Sequence, residues 1–149
     1  MTIYDKAGKV IATSDPPDTR IFDKMSIQNA FLAGMELEGI SFNESDLQNS
    51  DLSGADLYGA SLSETNCDSC RFVNADLRFG FLYQASFRNA DLTGARFGLD
   101  ELGGGLRLIG VDFTNAILDG ADFTGATYDS GTIFPHGFDP AQRGLILKE

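Results

Sequence analysis

The chain has 149 residues, with no tryptophan, one histidine, two cysteines and four prolines. Two cysteines are too few for the disulfide framework of a small secreted domain, so we expect a reducing compartment. No stretch approaches the roughly 18 consecutive apolar residues of a membrane span. No apolar segment typical of a signal peptide follows Met1. From these features we expect a soluble, cytoplasmic protein.

Basic residues are also scarce. Only 11 Lys and Arg stand against 22 Asp and Glu, which gives a formal charge of −11. Binding to nucleic-acid phosphates depends on Lys and Arg, so the composition disfavours direct nucleic-acid binding. A basic protein surface, such as that of a nucleic-acid-binding protein, is a more natural partner. The hydrophobic fraction of 42% excludes a disordered acidic tail, and the length fits one domain with its own core.

A repeat with a period of five residues runs through most of the chain. Its large central residue, called here the centre, is preceded at two positions' distance by a small residue in many copies. The predicted centres are Phe22, Ile27, Leu32, Leu37, Phe42, Leu47, Leu52, Leu57, Leu62, Cys67, Phe72, Leu77, Leu82, Phe87, Leu92, Phe97 and Leu102, and, after a slip of one residue, Leu108, Phe113, Leu118, Phe123, Tyr128 and Ile133. This period matches neither a helix nor a strand. It is typical of a solenoid, in which stacked units bury one another's apolar residues.

The motif Ala-Asp-Leu or Ala-Asp-Phe stands at residues 55–57, 75–77, 90–92 and 121–123. On these pieces, and on softer copies between them, residues 20–135 resemble the pentapeptide-repeat family, whose pattern is A-(D/N)-L-X-X. The resemblance implies an all-β fold, a right-handed quadrilateral β-helix with four pentads in each coil. Centre and small residue then point inward, and residues 20 apart stack. The predicted inner columns are Leu37, Leu57, Leu77, Phe97 and Leu118, and Leu52, Phe72, Leu92, Phe113 and Ile133.

The repeat is irregular in two interior places. Met25, Met35 and Ile40 are large where a small residue is usual, so we expect the first coils to be wider or irregular. Asp100 occupies an inward small-residue position beside three glycines, which predicts a bulge or a loop within residues 98–107. If that loop is a full six-residue excursion, Leu102 leaves the core and the later columns shift by one side.

Different segments are predicted to close the two ends. Residues 1–19 are assigned to an N-terminal hairpin cap and linker, because two β-prone pieces flank a Gly-containing turn and prolines follow. Residues 136–149 are assigned to a C-terminal cap. Asp139 and Pro140 are typical of the start of a short helix, which Gly144 would end. Alternatively, the apolar tail that follows forms a homodimer contact, because an open solenoid end exposes strand edges.

Four groups of residues invite a chemical interpretation that we do not adopt. Cys67 and Cys70 have metal-knuckle spacing, but no second pair and no histidine lies near, so we interpret them as small buried residues. Gly103–Gly105 lacks the Lys-Ser/Thr of a phosphate loop. His136 has no ordered partners for catalysis. Outward aspartates on a square coil diverge, whereas calcium needs converging oxygens. We expect no metal, no cofactor and no enzymatic activity.

Charged residues at the position before the centre form ladders on the outside of the coil. A candidate acidic face consists of Asp51, Asp56, Asp76, Asp91 and Asp112. One predicted stack holds Asp51, Arg71, Asp91 and Asp112, and another holds Glu36, Asp56, Asp76 and Arg96. The arginines interrupt rows of like charge, which would otherwise repel one another across neighbouring strands.

The sharpest local anomaly is Phe79-Gly80-Phe81, whose aromatic residues face solvent in the predicted register. The candidate interaction patch consists of Tyr58, Arg78, Phe79, Phe81, Tyr83, Arg88 and Leu99. Aromatic residues with arginine are the composition of interface hot spots. Alternatively, a cap segment or the 98–107 segment covers them.

These features favour a non-enzymatic scaffold that presents an acidic face or an aromatic patch to a protein partner. The family resemblance implies a more specific alternative, because some members mimic duplex DNA and bind bacterial DNA gyrase, protecting it against quinolones or toxins. The net charge suits that alternative, and the short rod does not unless the tail makes an end-to-end dimer. A third hypothesis is an immunity or assembly protein for one dedicated partner.

Overall fold

The computed structural model describes residues 1–14, 16 and 19–149, so residues 15, 17 and 18 of the predicted linker lie outside the described part. All named elements are β-strands, and they are short. They are β1 (Thr2–Tyr4), β2 (Val10–Thr13), β3 (Arg107–Leu108), β4 (Thr127–Tyr128) and β5 (Ile146–Leu147). Strands β1 and β2 pair antiparallel as a hairpin, and β3, β4 and β5 form a parallel sheet in that order.

Most of the chain is a solenoid held by single parallel bridges at a spacing of 20 residues. Asp56 pairs with Asp76, and Asp76 pairs with Arg96. The chain turns after every fifth residue, so each coil has four sides. The turn residue two positions after the centre has positive φ, as at Asn74 and Gly94. Asn and Gly recur there because they tolerate the left-handed conformation at least cost.

The bridges define four sides that repeat down the coil. The first side has centres Leu37, Leu57, Leu77, Phe97 and Phe123; the second has Phe22, Phe42, Leu62, Leu82, Leu108 and Tyr128; the third has Ile27, Leu47, Cys67, Phe87, Phe113 and Phe134; the fourth has Leu32, Leu52, Phe72, Leu92 and Leu118. From Phe22 to Phe97 every centre is buried, as are the alanines two positions before the centres. The core is therefore one continuous column of apolar side chains, and the predicted stacking of Leu57, Leu77 and Phe97 is confirmed.

The aspartate before the centre serves the turn that follows it. Asp56 Oδ1 accepts the Tyr58 backbone N–H at 3.0 Å, and Asp91 and Asp122 accept the N–H two residues further on in the same way. Such Asx turns satisfy a donor at the corner of the coil. This local bond gives the Ala-Asp-Leu motif its physical reason.

The 98–107 segment is a full six-residue excursion. Arg96 pairs with Asp122 and not with a residue 20 positions further on. Leu102, a predicted centre, is 91% exposed. The prediction of Leu118 beneath Phe97 is therefore wrong, since Phe123 stacks there with ring centroids 4.6 Å apart. Phe113 likewise lies on the third side and not beneath Leu92, as the six extra residues move each later pentad on by one side.

A second slip, of one residue, follows Tyr128. Ile133, a predicted centre, is 50% exposed, because it bridges to Asp112 at the position before a centre. Phe134 is the centre instead and stacks on Phe113 at 5.8 Å. The extra residue is held by Asp129, whose carboxylate accepts bonds from the Gly110 backbone N–H and the Thr132 hydroxyl.

The N-terminal hairpin lies over the first coil. Ile3 is buried in the core, and the Phe31 N–H donates to the Tyr4 carbonyl oxygen at 2.8 Å. Met25 and Met35 are partly buried, and the bridges beside them keep the 20-residue spacing. Pairing in the first coils is therefore regular, contrary to the expectation of irregular coils, and their greater width stays a prediction. The domain boundaries at 19 and 135 stay predictions.

The predicted C-terminal helix is wrong, because residues 140–144 form turns. Asp139 Oδ1 does accept the N–H groups of Ala141 and Gln142, as a capping residue would. Gly144, at φ 78°, ends the segment after a single turn, which is too short to repay helix nucleation. The following Leu145 is buried, and β5 adds a strand beside β4.

Candidate functional site

Three aromatic side chains are exposed together on the second side of the coil and its corner with the first. Phe79 is 52% exposed, Phe81 60% and Tyr83 47%. Phe81 and Tyr83 flank Leu82, a buried centre, so alternation within the pentad directs them outward, and Phe79 projects from the turn that precedes them. We call Phe79, Phe81 and Tyr83 the aromatic patch. The 98–107 segment does not cover it.

Tyr58 and Arg78 support the patch from the first side. The Tyr58 ring stacks on Phe79 with centroids 5.7 Å apart, and the Arg78 guanidinium lies 5.9 Å from the Tyr58 ring centroid. Arg78 also donates to both Asp76 carboxylate oxygens, at 2.7 to 3.1 Å. Because its donors are engaged in this way, Arg78 holds the surface in place and is not a free cation for a partner.

Phe79 adopts a backbone conformation that is unusual for its type. Its φ is 59°, in the left-handed region that Asn and Gly occupy at equivalent turns. A bulky residue there carries strain of roughly 1–3 kcal/mol. The stacking on Tyr58 offsets part of it, since such a pair contributes about 0.5–1.5 kcal/mol. An aromatic residue therefore occupies this corner although the backbone conformation there disfavours it.

The other two predicted patch residues lie elsewhere. Arg88 belongs to the third side, where its guanidinium donates to Asp112 at 3.2 Å. Leu99 is exposed one coil beyond Phe79, where its side chain lies against the Cα of Gly125. Leu99 lines a neighbouring depression with Gly105, Arg107 and Ile109. The structure thus brings Tyr58 and Arg78 to the aromatic patch, places Leu99 beside it and leaves Arg88 apart.

A groove of about 290 Å³ opens between the aromatic patch and the next coil. Its far wall contains Leu106, Arg107 and Ile109, none of which the sequence analysis singled out. The sequence does indicate an irregularity at Leu106, because it is a large residue two positions before the centre Leu108, where the repeat has a small one. It gives no such indication at Ile109, because the side of the coil on which Ile109 lies depends on the length of the excursion.

The predicted acidic face is not a single surface. Asp56 and Asp76 lie on the first side, Asp51 and Asp91 on the fourth, and Asp112 on the third, where it bridges to Ser86. Asp112 is thus not in the stack of Asp51, Arg71 and Asp91. The ladder of Glu36, Asp56, Asp76 and Arg96 is continuous and extends to Asp122.

Several of these carboxylates are already engaged. Burial acts to raise the pKa of Asp76, but hydrogen bonds from Arg78 outweigh it, and the pKa is lowered overall. Asp51 also has a lowered pKa: burial opposes the shift, while its bonds with Ser53 and the charges of Arg71 and Lys6 produce it. These aspartates stabilise the coil, so only part of the negative charge is available to a partner.

The two cysteines face the core, where burial raises the pKa of the Cys67 thiol well above its ordinary value. Cys70 Sγ lies 2.9 Å from the Leu47 carbonyl oxygen, to which it donates. Among the described residues, no group of three or more His, Cys, Asp and Glu side chains converges on a metal-sized space. In the same residues no helix has the length and apolarity to cross a membrane.

The four-sided coil of stacked pentads defines a β-solenoid whose outer surface carries a local aromatic patch. The sequence model of the family described as Pentapeptide repeats matches in 8 copies over residues 26–64, 40–78, 70–98 and 105–127. The chain belongs to the pentapeptide-repeat family, as its residue pattern predicted, and membership implies the right-handed β-helix of that family. The match is interrupted at the excursion between residues 98 and 105.

Several solved structures are similar to this chain. A pentapeptide repeat protein, Rfr23, from the cyanobacterium Cyanothece 51142 is 24% identical over 76% of this chain and 63% of its own, with a TM-score of 0.38. The chain therefore spans less than two thirds of that protein. Alr5209, a pentapeptide repeat protein from Nostoc Pcc 7120, is 30% identical over 87% of this chain and 86% of its own, with a TM-score of 0.35.

QnrB1, a plasmid-mediated fluoroquinolone resistance protein, is 18% identical over 87% of this chain and 83% of its own, with a TM-score of 0.37. These scores are low, so the family assignment rests on the repeat match. No curated protein matches the chain.

Proposed function

We propose that this protein is a non-enzymatic interaction scaffold whose rigid coil presents the aromatic patch to a protein partner. The observation that carries the proposal is the exposure of Phe79, Phe81 and Tyr83 beside one another, as a cluster of aromatic side chains within one stretch of the coil. A few residues supply most of the binding energy in a protein interface, and aromatic residues are enriched in interfaces. A dedicated partner, as for an immunity or assembly protein, falls within this proposal.

The rigidity of the support favours the same proposal. Phe79 is fixed by stacking on Tyr58, which Arg78 and Asp76 hold from the other side. A side chain that is ordered before binding loses little conformational entropy when a partner covers it. The strained φ of Phe79 fits a functional role, because residues held in unfavourable backbone conformations cluster at functional sites.

The test is affinity capture from a lysate of the organism that encodes the chain, with wild-type protein and two variants. Phe81→Asp is expected to lose a protein that the wild type retains. Phe31→Asp, at a similarly exposed aromatic on the fourth side, is the matched control and is expected to retain it. Circular dichroism establishes that both variants fold. Equal capture by all three proteins would contradict the role of the aromatic patch.

A second candidate function is DNA mimicry toward bacterial gyrase or another topoisomerase, which the family resemblance and the charge of −11 favour. The distribution of the carboxylates over three sides and their bonds within the coil count against it. Inhibition of gyrase supercoiling at low salt, lost in an Asp56→Asn/Asp122→Asn double variant, would support it. No inhibition over a wide concentration range would exclude it.

The length that DNA mimicry needs would require an end-to-end homodimer. Strand β5 is the outer strand of its sheet, and Ile146 and Leu147 are exposed on it. Light scattering gives the mass directly. A dimer that becomes a monomer in Leu147→Lys would make the geometry available, and a monomeric wild type at micromolar concentration would remove it.

A further inference from the structure

In the coils up to Phe97, the backbone hydrogen bonds between coils follow a rule that is broken at one place. On a regular side three backbone bonds join a pentad to the next coil; on the side centred on Leu57, these bonds start from the N–H groups of Leu57, Gly59 and Asp76. All three form on each side from Phe22 to Phe72 and again from Phe87 to Phe97. Residues 19–149 are described without a gap. Within them, some of these bonds are missing on the sides that lie between Phe72 and Phe87.

The exceptions are the sides centred on Leu77 and Leu82. The N–H of Phe79 has no partner at the Gly98 carbonyl, and the N–H of Leu82 has none at the Arg107 carbonyl. The N–H of Arg107 does not reach the Gly80 carbonyl either. Pairing resumes at once, where Gln84 N–H donates to the Ile109 carbonyl oxygen at 2.9 Å. The coil is therefore open between Phe79 and Leu82, where the first side meets the second, and we call this place the open side at Leu82.

Leu106 and Gly80 face each other across the opening. Leu106 is buried at a position where the repeat has alanine, and its Cδ1 would lie 3.9 Å from a Cβ on Gly80. That Cβ would also lie only 3.0 Å from the Leu77 carbonyl oxygen. A leucine and a glycine thus lie where the repeat usually stacks two small residues, and the backbone bonds between the two coils are missing at this point.

The groove beside the aromatic patch coincides with this opening. Phe81, Leu82, Leu106 and Arg107 line it, so its walls carry the unpaired N–H groups of Leu82 and Arg107 together with apolar side chains. A backbone N–H or C=O group that is shielded from water and has no partner costs free energy. A ligand that both donates to the free carbonyls and accepts from the free N–H groups is therefore favoured. An extended peptide backbone offers both kinds of group at strand spacing, which a carboxylate or a phosphate does not.

The charge at the groove restricts the occupant further. Arg107 is the one charged residue in its lining, and it is exposed. Within residues 19–149, where all neighbours are described, it forms no ion pair. Although the protein is acidic overall, the groove itself is apolar with one positive charge, which favours an acidic side chain beside an apolar one.

We propose that the open side at Leu82 binds an extended peptide segment of a partner protein. The segment adds its backbone to the interrupted ladder, places an apolar side chain against Phe81 and Leu106, and sets an acidic side chain opposite Arg107. This inference rests on the proposed function and names the chemistry of its partner. Binding of this kind is β-strand addition. Here it takes place where the ladder between two coils is interrupted, and not at the end of the solenoid.

The experiment uses a phage-displayed library of linear heptapeptides selected on the full-length protein. We expect enriched peptides to combine aliphatic or aromatic residues with Asp or Glu. Their affinity is expected to fall at least about tenfold in Phe81→Asp, as for a central interface residue, and to change less than about twofold in the control Phe31→Asp. Selection on Arg107→Glu is expected to favour basic peptides instead.

Amide hydrogen exchange followed residue by residue tests the backbone part independently of the side chains. In the free protein the N–H groups of Leu82 and Arg107 are expected to exchange much faster than those of Leu62 and Phe87, which donate to the next coil. Saturation with a selected peptide is expected to slow both. A version of that peptide methylated on alternate backbone nitrogens is expected to bind weakly and give no protection.

Two outcomes would overturn the inference. Slow exchange of Leu82 and Arg107 in the free protein would mean that the coil is closed at this point. Failure to enrich peptides that depend on Phe81 would mean that the opening takes no extended segment. Lysate capture that still depends on Phe81 would in either case leave the proposed scaffold function standing, with a folded surface as the partner.

Discussion

Residues 20–97 and residues 98–149 use the same pentad in different ways. In the first region each centre is buried, each bridge spans 20 residues, and nearly every inter-coil bond forms. In the second region the chain makes a six-residue excursion, slips once more by a residue and ends in turns. Both regions nevertheless share one core, because Phe97 of the first stacks on Phe123 of the second.

The difference teaches where a solenoid can acquire a binding surface. A regular coil satisfies its own backbone and spreads its charges evenly, so it offers a partner few distinctive features. The groove, the exposed aromatic residues and the unpaired backbone groups all lie at the junction of the two regions. Irregularity after Phe97 thus leaves backbone groups of Leu82 and Arg107 unpaired beside the outward-facing aromatic patch.

The largest effect is expected from Phe97→Ala, compared with Leu102→Ala. Sequence periodicity makes both residues centres, but only Phe97 is buried. Removing its ring leaves a cavity between Phe113 and Phe123 and is expected to lower the free energy of unfolding by about 3–5 kcal/mol. Leu102→Ala is expected to change it by less than about 0.5 kcal/mol.

Urea unfolding followed by circular dichroism measures both variants under the same conditions. Equal destabilisation by Phe97→Ala and Leu102→Ala would mean that the excursion packs into the core. Little loss in Phe97→Ala would mean that the two regions do not share a continuous column.

A smaller effect is expected from Asp100→Ala, which tests how the excursion is held. The Asp100 carboxylate accepts the N–H groups of Leu102 at 2.9 Å and Gly104 at 2.6 Å, and it is buried. Loss of these bonds is expected to cost about 1–3 kcal/mol. In the regular region Asp56→Ala is the counterpart, and it is expected to cost less, because Asp56 is exposed and accepts one N–H. The reverse order in urea unfolding would show that Asp100 does not organise the loop.

Sequence periodicity predicts the regular region well, because each pentad carries its own instructions. Leu57 fills the axis, Ala55 fits beside it and Asp56 closes the turn, so local residue types determine the local structure. The family resemblance adds the four-sided coil, which the 20-residue bridges confirm.

The later region could not be predicted in the same way. The number of residues that the excursion removes from the repeat depends on the hydrogen bonds that the Asp100 carboxylate accepts from nearby backbone N–H groups. Periodicity does not determine it. The predicted columns assumed a slip of one residue in place of six, so Phe113 and Leu118 were assigned to the wrong sides. The second slip, at Asp129, makes Phe134 the centre in place of Ile133. The groove was missed for the same reason, since Ile109 and Arg107 face Phe81 only after the excursion is counted correctly.

Phe79→Asn compares the strained corner with the regular corners, where Asn is common, and it is expected to change the free energy of unfolding only a little. The change relieves the positive φ of a bulky residue but loses the stacking on Tyr58. These contributions oppose each other, so the free energy of unfolding is expected to shift by less than about 1 kcal/mol. Peptide binding at the groove is expected to weaken at the same time, as measured by fluorescence anisotropy. Unchanged binding would mean that the Phe79 ring is not part of the binding surface.

The smallest effect per residue is expected from pH, and it concerns two aspartates of the second region. The Thr124 N–H lowers the pKa of Asp122, and the Gly110 N–H lowers that of Asp129, below the ordinary value of 3.8. A carboxylate with a lowered pKa in the folded state stabilises the protein fully above its unfolded pKa and loses that contribution as pH falls through the folded value. Stability in urea is therefore expected to be level above about pH 5 and to decline below pH 3.8. Asp122→Asn is expected to flatten the decline, and an unaltered slope would remove Asp122 from the explanation.

The 20-residue bridge spacing has a consequence for how such a protein can change in length. Because every regular coil repeats the same vertical step, removal of residues 41–60 would join two matching cross-sections and leave all side chains facing as before. The distance from the open side at Leu82 to the hairpin end would shorten by one strand spacing, about 4.8 Å, without altering the opening. Overall height and recognition are thus separately adjustable in this architecture.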